Sequence, residues 1–168
     1  MHTIGMLPSN NLKLCTFNCK GHNLDRIEYM RTLIKECDLL LVQEHWYLEC
    51  NINKLESEIG NVNVIGTSGM DEQKLIRGRP YGGCAIVYRK DFKCTVIPVK
   101  SGCKRLCACI LELHNKCRIL VVNKYMPCDN ENEISAYRDM LTEVSNIISD
   151  HNDIDHEVVG GDFNTDIS

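Results

Sequence analysis

Two carboxylates, two carboxamides and a phenol each stand where an apolar run of this chain ends. Asn18 closes LKLCTFN, Glu44 follows DLLLVQ, Tyr125 closes the run from Cys117, and Asp162 and Asn164 follow Val158-Val159-Gly160-Gly161. A carboxylate beside a carboxamide can hold a metal-bound water and a phosphate oxygen, since one accepts or binds a cation and the other donates. Side chains alternate along a strand, so Asp162 and Asn164 share a face if the strand runs through both. The paired glycines let the backbone bend or let a ligand approach closely. By itself the stretch Gly-Gly-Asp-Phe-Asn-Thr-Asp also reads as a turn with local side-chain caps. What tells against that reading is the placement of all five. A rigid strand aims a side chain while the loop behind it opens to solvent, and five such groups on four separate strands point to one convergent site.

The elements that must position them follow from periodicity. Residues 12–18 read as a strand, broken at Lys20-Gly21, and Asn23 or Asp25 caps the next helix. From Asp25 to Cys37 the apolar residues Ile27, Met30, Leu33, Ile34 and Cys37 fall on one helical face. Asp38–Gln43 is nearly continuous and apolar, as expected of a strand covered on both sides. A short helix over Asn51–Ile59, a strand over Val62–Gly66 and a charged, Gly-containing loop over Thr67–Tyr81 follow. Four strands come next, Gly83–Arg89, Cys94–Val99, Arg105–Leu113 and Cys117–Tyr125, the last two joined by a turn at Asn115-Lys116. Asn132–Asp150 reads as a long amphipathic helix before the closing strand. Strands that outnumber helices, with helices at both ends of the order, favour packed sheets covered by helices over a simple doubly wound sheet.

At 168 residues the chain fits one domain with room for a core. Its 43% hydrophobic and 25% charged residues are ordinary for a globular protein. No apolar run approaches the roughly 20 residues of a membrane span, and the N-terminus lacks the basic start and apolar stretch of a signal peptide, so a cytosolic or nuclear setting without a membrane partner is expected. Eleven cysteines, an odd number with no C-x-x-C pair, read as reduced residues packed like small hydrophobes. The net charge of −4 makes no general case for a nucleic-acid partner. Its distribution is uneven, however. From Gln73 to Arg105 nine Lys/Arg face one acid, and from Asp129 to Ser168 eleven acids face one Arg. That division suits two solvated faces, or a site that grips a phosphate backbone and loads a divalent cation.

LCTFNCKG, LLLVQEHW, VVNKYMP and VVGGDFNTD, in that order, resemble the endonuclease/exonuclease/phosphatase superfamily, and most of all the endonuclease domain of non-LTR (LINE-type) retrotransposons, which is similar to apurinic/apyrimidinic endonucleases. The resemblance runs from about Leu12 to Asp166, leaving residues 1–11 as an N-terminal extension. It implies a four-layered α/β sandwich, with two mixed sheets face to face and helices outside, and hydrolysis of a phosphodiester or phosphomonoester with Mg²⁺ or Mn²⁺. By motif it makes Glu44 the principal metal ligand with Asn18 beside it, gives Asp162 the attacking water, and puts Asn164 and Tyr125 on the scissile phosphate. DNA is the implied partner, and a downstream reverse-transcriptase region the implied companion in a polyprotein.

Three departures bear on these expectations. Lys20 stands where the apurinic/apyrimidinic enzymes carry an acid, which implies a leaner metal site, and Cys128 replaces an amide common after the Tyr-x-Pro of those enzymes. The family's Ser-Asp-His type motif, expected some tens of residues past GDFNTD, has no counterpart before Ser168, so the resemblance implies a domain incomplete at its C-terminus and impaired in cutting. A phosphatase or phospholipase of the same superfamily, and a catalytically dead remnant that only binds, are the competing readings. Trp46 reads as a packing residue, Tyr81 as a loop residue outside the catalytic set, and His22 and His45 as solvated or structural.

Overall fold

In the computed structural model, which describes residues 4–7 (backbone), 12–71, 78, 80–128 and 133–165, the order of elements is β1 (Ile4–Leu7), β2 (Leu12–Asn18), α1 (Leu24–Glu36), β3 (Leu39–Gln43), α2 (Lys54–Ile59), β4 (Val62–Thr67), β5 (Cys84–Arg89), β6 (Thr95–Val99), β7 (Leu106–Glu112), β8 (Arg118–Tyr125), α3 (Ile134–Ser149) and β9 (His156–Asp162). A single 3-10 turn, Glu49–Asn51, precedes α2. Local chemistry sets several boundaries. The Asn23 side chain accepts the Arg26 N–H at 2.9 Å and starts α1. Gly60, at φ 81°, ends α2. At the β7–β8 hairpin Lys116 takes φ 64° and Asn115 accepts the Cys117 N–H.

The strands form two mixed sheets. One has the order β1-β2-β3-β5-β4 and the other β6-β7-β8-β9. β2 and β3 run parallel, as do β8 and β9, and the other pairs are antiparallel. Three apolar clusters make four layers of them. Met30, Leu33, Leu55 and Ile59 of α1 and α2 pack on Leu40 and Val42 of the first sheet. Leu39 and Leu41 meet Cys109, Leu111, Ile119 and Val121 between the sheets. Met140, Val144 and Ile147 of α3 cover Ala108, Leu120 and Val122 on the outside of the second sheet. The four-layered sandwich expected from the sequence is the fold observed, and β3 is buried along its whole length because both of its faces are covered.

The structure adds to the sequence reading and narrows it. Ile4–Leu7, in the stretch read as an extension, pairs antiparallel with β2. The buried face of α3 is narrower than its apolar pattern, leaving Ile134 and Leu141 exposed. All eleven cysteines are free, as read, and Cys107 and Cys109 share the face turned to the other sheet; Cys50 and Cys128 are exposed rather than packed. Among the described residues no helix is long and apolar enough to cross a membrane.

One polar cluster interrupts the apolar layer between the sheets. Gln43, at the end of β3, donates through Nε2 to the Asn123 side chain at 2.7 Å and to the Leu41 carbonyl at 3.0 Å. Asn123 in turn donates to the carbonyls of Val42 (2.9 Å) and Ala85 (2.8 Å). Thr16 closes the network on Gln43 Oε1 at 3.2 Å. Buried amides cost free energy unless satisfied. Satisfied across the gap, these fix one sheet's position on the other, one residue before Glu44 and two before Tyr125.

Candidate active site

At the carboxyl end of β2, β3, β8 and β9 the two sheets bring their polar ends together. Asn18 is the centre. Its Nδ2 donates to Glu44 Oε1 and to Asp162 Oδ2, both at 2.7 Å, so the two carboxylates lie within twice that distance of each other. The Tyr125 hydroxyl donates to Glu44, and Tyr125 is the register partner of Asp162 on β8 and β9. Burial, with Glu44 beside it, pushes the Tyr125 phenol up to about 12, so it is a protonated donor at neutral pH. Asn18, Glu44, Tyr125 and Asp162 thus meet at one point.

Asn164 is placed differently. The strand ends at Asp162 rather than running on. Asn164 takes φ 50°, its N–H donates to Asp162 Oδ1 at 2.9 Å, and its carboxamide donates to the Met126 carbonyl at 3.1 Å. The turn chemistry weighed for this stretch therefore operates immediately after Asp162, and Asn164 sits in that turn with its amide on the Met126 carbonyl. The local reason is the Asx bond that Asp162 offers the backbone two residues on.

Glu44 is aimed by a strained turn. Both Glu44 (φ 57°) and Trp46 (φ 61°) occupy the left-handed region, which costs a non-glycine residue about 1–2 kcal/mol. Close glycine backbones hold them there. The Gly21 N–H reaches the Glu44 carbonyl at 2.6 Å, the Glu44 N–H reaches the Gly83 carbonyl at 2.8 Å, and the Trp46 N–H reaches the Gly82 carbonyl at 3.0 Å. A Cβ on Gly21 would meet the Trp46 ring at 2.3 Å, and one on Gly83 the His45 ring at 2.4 Å. Trp46 and His45 are packing residues, as read.

His45 locks the segment from inside. It is fully buried, its Nδ1 accepts the Tyr47 N–H at 3.0 Å, and its Nε2–H donates to the Thr67 carbonyl at 3.1 Å. Both bonds are made by the neutral ring, and burial pulls its pKa down to about 4. An unfolded histidine protonates near 6.5. The unfolded chain therefore takes up a proton below that pH while the folded one does not until about 4. The stabilisation is fully present above pH 6.5 and is lost as pH falls towards 4, on the order of 3 kcal/mol in all. Urea unfolding of the wild type and of His45→Gln at pH 7 and pH 4.5 measures it. The wild type should lose more stability than the variant over that interval, and equal losses would dismiss the assignment.

Cations flank the acids. Arg105 lies over the Tyr125 ring, 5.2 Å from its centroid. Lys124 is buried, its Nζ makes no hydrogen bond among the described residues, and it sits 3.2 Å from the centroid of the Phe163 ring. Burial pulls Lys124 down to about 8, against the pull of Asp162. Of the basic stretch noted in the sequence, Lys74, Arg77 and Arg79 lie outside the described residues, while Arg89 pairs with Asp38 and Asp91, and Lys104 with Asp71. The sequence reading missed Arg105, Lys124, Gln43 and Asn123. Arg105 alone carried a usable signal, because pairing the two predicted strands from Leu113 opposite Cys117 sets it opposite Tyr125.

Among the described residues no three His, Cys, Asp or Glu side chains are grouped to hold a metal ion. The acid pair with its amide nevertheless fits a hard cation. Two carboxylate oxygens converge on a spot where the partial positive charge of the Asn18 amide now sits, and Mg²⁺ characteristically takes one or two carboxylates and keeps its waters. Asn18 presents nitrogen to the acids and its oxygen to the Lys20 N–H at 3.0 Å, so serving as a ligand requires its amide to turn.

No protein-family profile and no curated protein sequence matches the chain. Solved structures do match in fold. The endonuclease domain of a telomere-specific non-LTR retrotransposon superposes with a TM-score of 0.67 at 14% identity, over 93% of this chain and 62% of that one. A 3′ phosphatase from Neisseria, bound to a product DNA hairpin, gives 0.64 at 16% identity over 91% and 58%. The mannosyl-6-phosphatase of Bacteroides thetaiotaomicron gives 0.62 at 14% identity over 92% and 66%. The chain shares the fold of these structures and spans about three-fifths of their length.

Proposed function

We propose that this chain carries the metal-dependent phosphate-ester hydrolysis site of a DNA-nicking endonuclease domain from a retroelement. The observation that carries the reading is the Asn18 amide bridging Glu44 and Asp162 from opposite sheets, with the Tyr125 phenol on the same acid. Glu44 and Asn18 would hold Mg²⁺ or Mn²⁺, which when bound neutralises phosphate charge and acidifies water. Asp162 accepts the proton of the attacking water and orients it, from a strand end that leaves it little freedom. Tyr125, protonated at neutral pH, turns its one O–H from Glu44 to a non-bridging oxygen as charge grows there. Asn164, with one N–H of its amide on the Met126 carbonyl, has its second N–H to offer a phosphate oxygen. DNA as substrate and a retroelement as origin are supported by the four sequence motifs together with the likeness in fold to a retrotransposon endonuclease domain and to a phosphatase seen with DNA. A reverse transcriptase in the same polyprotein is the partner this reading calls for.

Supercoiled plasmid incubated with the protein and Mg²⁺ tests it, with EDTA as control and release of phosphate from a sugar phosphate run in parallel. EDTA-sensitive relaxation without phosphate release is the expected result. Phosphate release without relaxation would transfer the site to the phosphatases. The engagement of Asn164 with Met126 favours a second reading, binding without turnover. Retention of labelled DNA with neither product would establish that one instead.

A further inference from the structure

We propose that Arg105 grips the substrate's phosphate backbone beside the reacting phosphate, and so selects polynucleotides over small phosphate esters; this rests on the phosphate-ester reading of the site. Arg105, the residue just before β7, lines up with Tyr125 of β8 and Asp162 of β9 in one row. Leu106 is paired with Lys124 and Tyr125 with Asp162, and the Tyr125 N–H bonds the Arg105 carbonyl at 2.9 Å, so Arg105 continues the register on the face that carries Tyr125. Two strand spacings, roughly 9–10 Å, separate it from Asp162. Its guanidinium stands over the Tyr125 ring, 5.2 Å from the centroid, a position offset from the acid pair that suits a phosphate next to the reacting one.

The guanidinium is also uncommitted. Arg31, Arg89 and Arg118 are each paired with carboxylates, and Arg26 donates to the carbonyls of Lys20 and Gly21. Among the described residues no carboxylate pairs with Arg105, whose contact is the Tyr125 ring. It is only partly buried, so solvent and a dissolved anion can reach it; the cleft it lines on its α3 side carries Asp139 and Glu143 and is no anion path. A site built on two carboxylates, in a chain of net charge −4, repels a polyanion unless cations stand along its path. A planar fork of donors stacked on an aromatic ring is preorganised for phosphate in a way a lysine is not. A small ester has no neighbouring phosphate for Arg105 to hold, which is why the residue discriminates.

Binding and turnover test this separately. Fluorescence anisotropy of a fluorescein-labelled duplex in EDTA, over a series of salt concentrations, compares the wild type with Arg105→Gln and Arg105→Lys. The Gln variant should bind roughly 10–100-fold more weakly at low salt, with the slope of log K against log salt shallower by ~0.9, the signature of one lost phosphate contact. The Lys variant should keep the slope while recovering only part of the affinity. Hydrolysis of bis(p-nitrophenyl) phosphate with Mg²⁺ should be unchanged in Arg105→Gln. An unaltered salt slope would overturn the proposal. So would equal losses on the duplex and the small diester, which would make Arg105 only a support for Tyr125. If the wild type hydrolyses neither substrate, the ester reading fails, and the anisotropy still decides whether Arg105 holds a phosphate.

Discussion

Glu44→Gln should lower hydrolysis by at least ~10²-fold and remove most of the heat of Mg²⁺ or Mn²⁺ binding, while leaving the metal-free protein as stable as the wild type or slightly more so. Partners one shell removed from a bound metal typically cost 10–100-fold when altered, so if Glu44 is the principal ligand, as proposed, its loss belongs at or beyond the top of that range. The stability expectation has a different root. Glu44 and Asp162 are two like charges held within hydrogen-bond reach of one amide, and a cation is what would favour that arrangement. Without it, removing one charge relieves repulsion. Gln is isosteric, and its oxygen can still accept from Asn18. A gain or no change in stability alongside a large loss of function is the signature of a group retained for chemistry. Calorimetric titration, thermal unfolding in EDTA and plasmid relaxation measure the three quantities. Unchanged isotherms would remove Glu44 as the main ligand, and a large fall in the melting temperature without metal would make it a structural residue.

The layers of this fold were legible because burial writes periodicity into sequence. β3 reads as a doubly covered strand and α1 as a one-faced helix, and both are so. The Asn115-Lys116 turn gives β7 and β8 their pairing. The convergence of Asn18, Glu44, Tyr125 and Asp162 was legible for a similar reason, since strand ends in one sheet sandwich exit on common sides. What stayed hidden depends on contacts between elements far apart in the chain. Gln43 and Asn123 sit inside apolar runs, and only the approach of the two sheets makes them partners across 80 positions. Asn164 looked like a continuation of its strand because alternation says nothing of the Asx bond that ends it. His45 could be read as structural, but not as the neutral clamp of a left-handed turn, because nothing local shows the Thr67 carbonyl it meets. The paired glycines were read as a bend or a place for a ligand. Gly161, at φ 117°, does take a backbone turn that favours glycine, and both serve the close approach of protein to protein.

That last point yields a second large effect. Gly161→Ala should lower the melting temperature by roughly 10 °C or more and weaken hydrolysis with it. Gly161 has φ 117°, outside the range open to alanine, and a Cβ there would lie 2.0 Å from the Lys124 carbonyl oxygen and 2.8 Å from its nitrogen. Both atoms are backbone in the β8 strand that pairs with β9, so neither can rotate aside. Either β9 detaches at its end or the pairing shifts, at a cost of several kcal/mol, and each kcal/mol moves the melting temperature of a domain this size by about 2–4 °C. Asp162 is the next residue. Any displacement of the strand end takes its carboxylate off Asn18 and separates the acid pair, so activity falls further than the unfolded fraction accounts for. Gly160 is constrained from the other side, where a Cβ would meet the Leu41 side chain at 2.6 Å; that neighbour can give way, and Gly160→Ala should be milder. Gly102, exposed and with open space around its would-be Cβ, supplies the neutral control. Thermal unfolding of the three variants, with relaxation assayed well below each transition, checks the ranking. A Gly161→Ala protein as stable as Gly102→Ala would mean that β9 does not seat against β8 as described, and that Asp162 is not held where the site requires it.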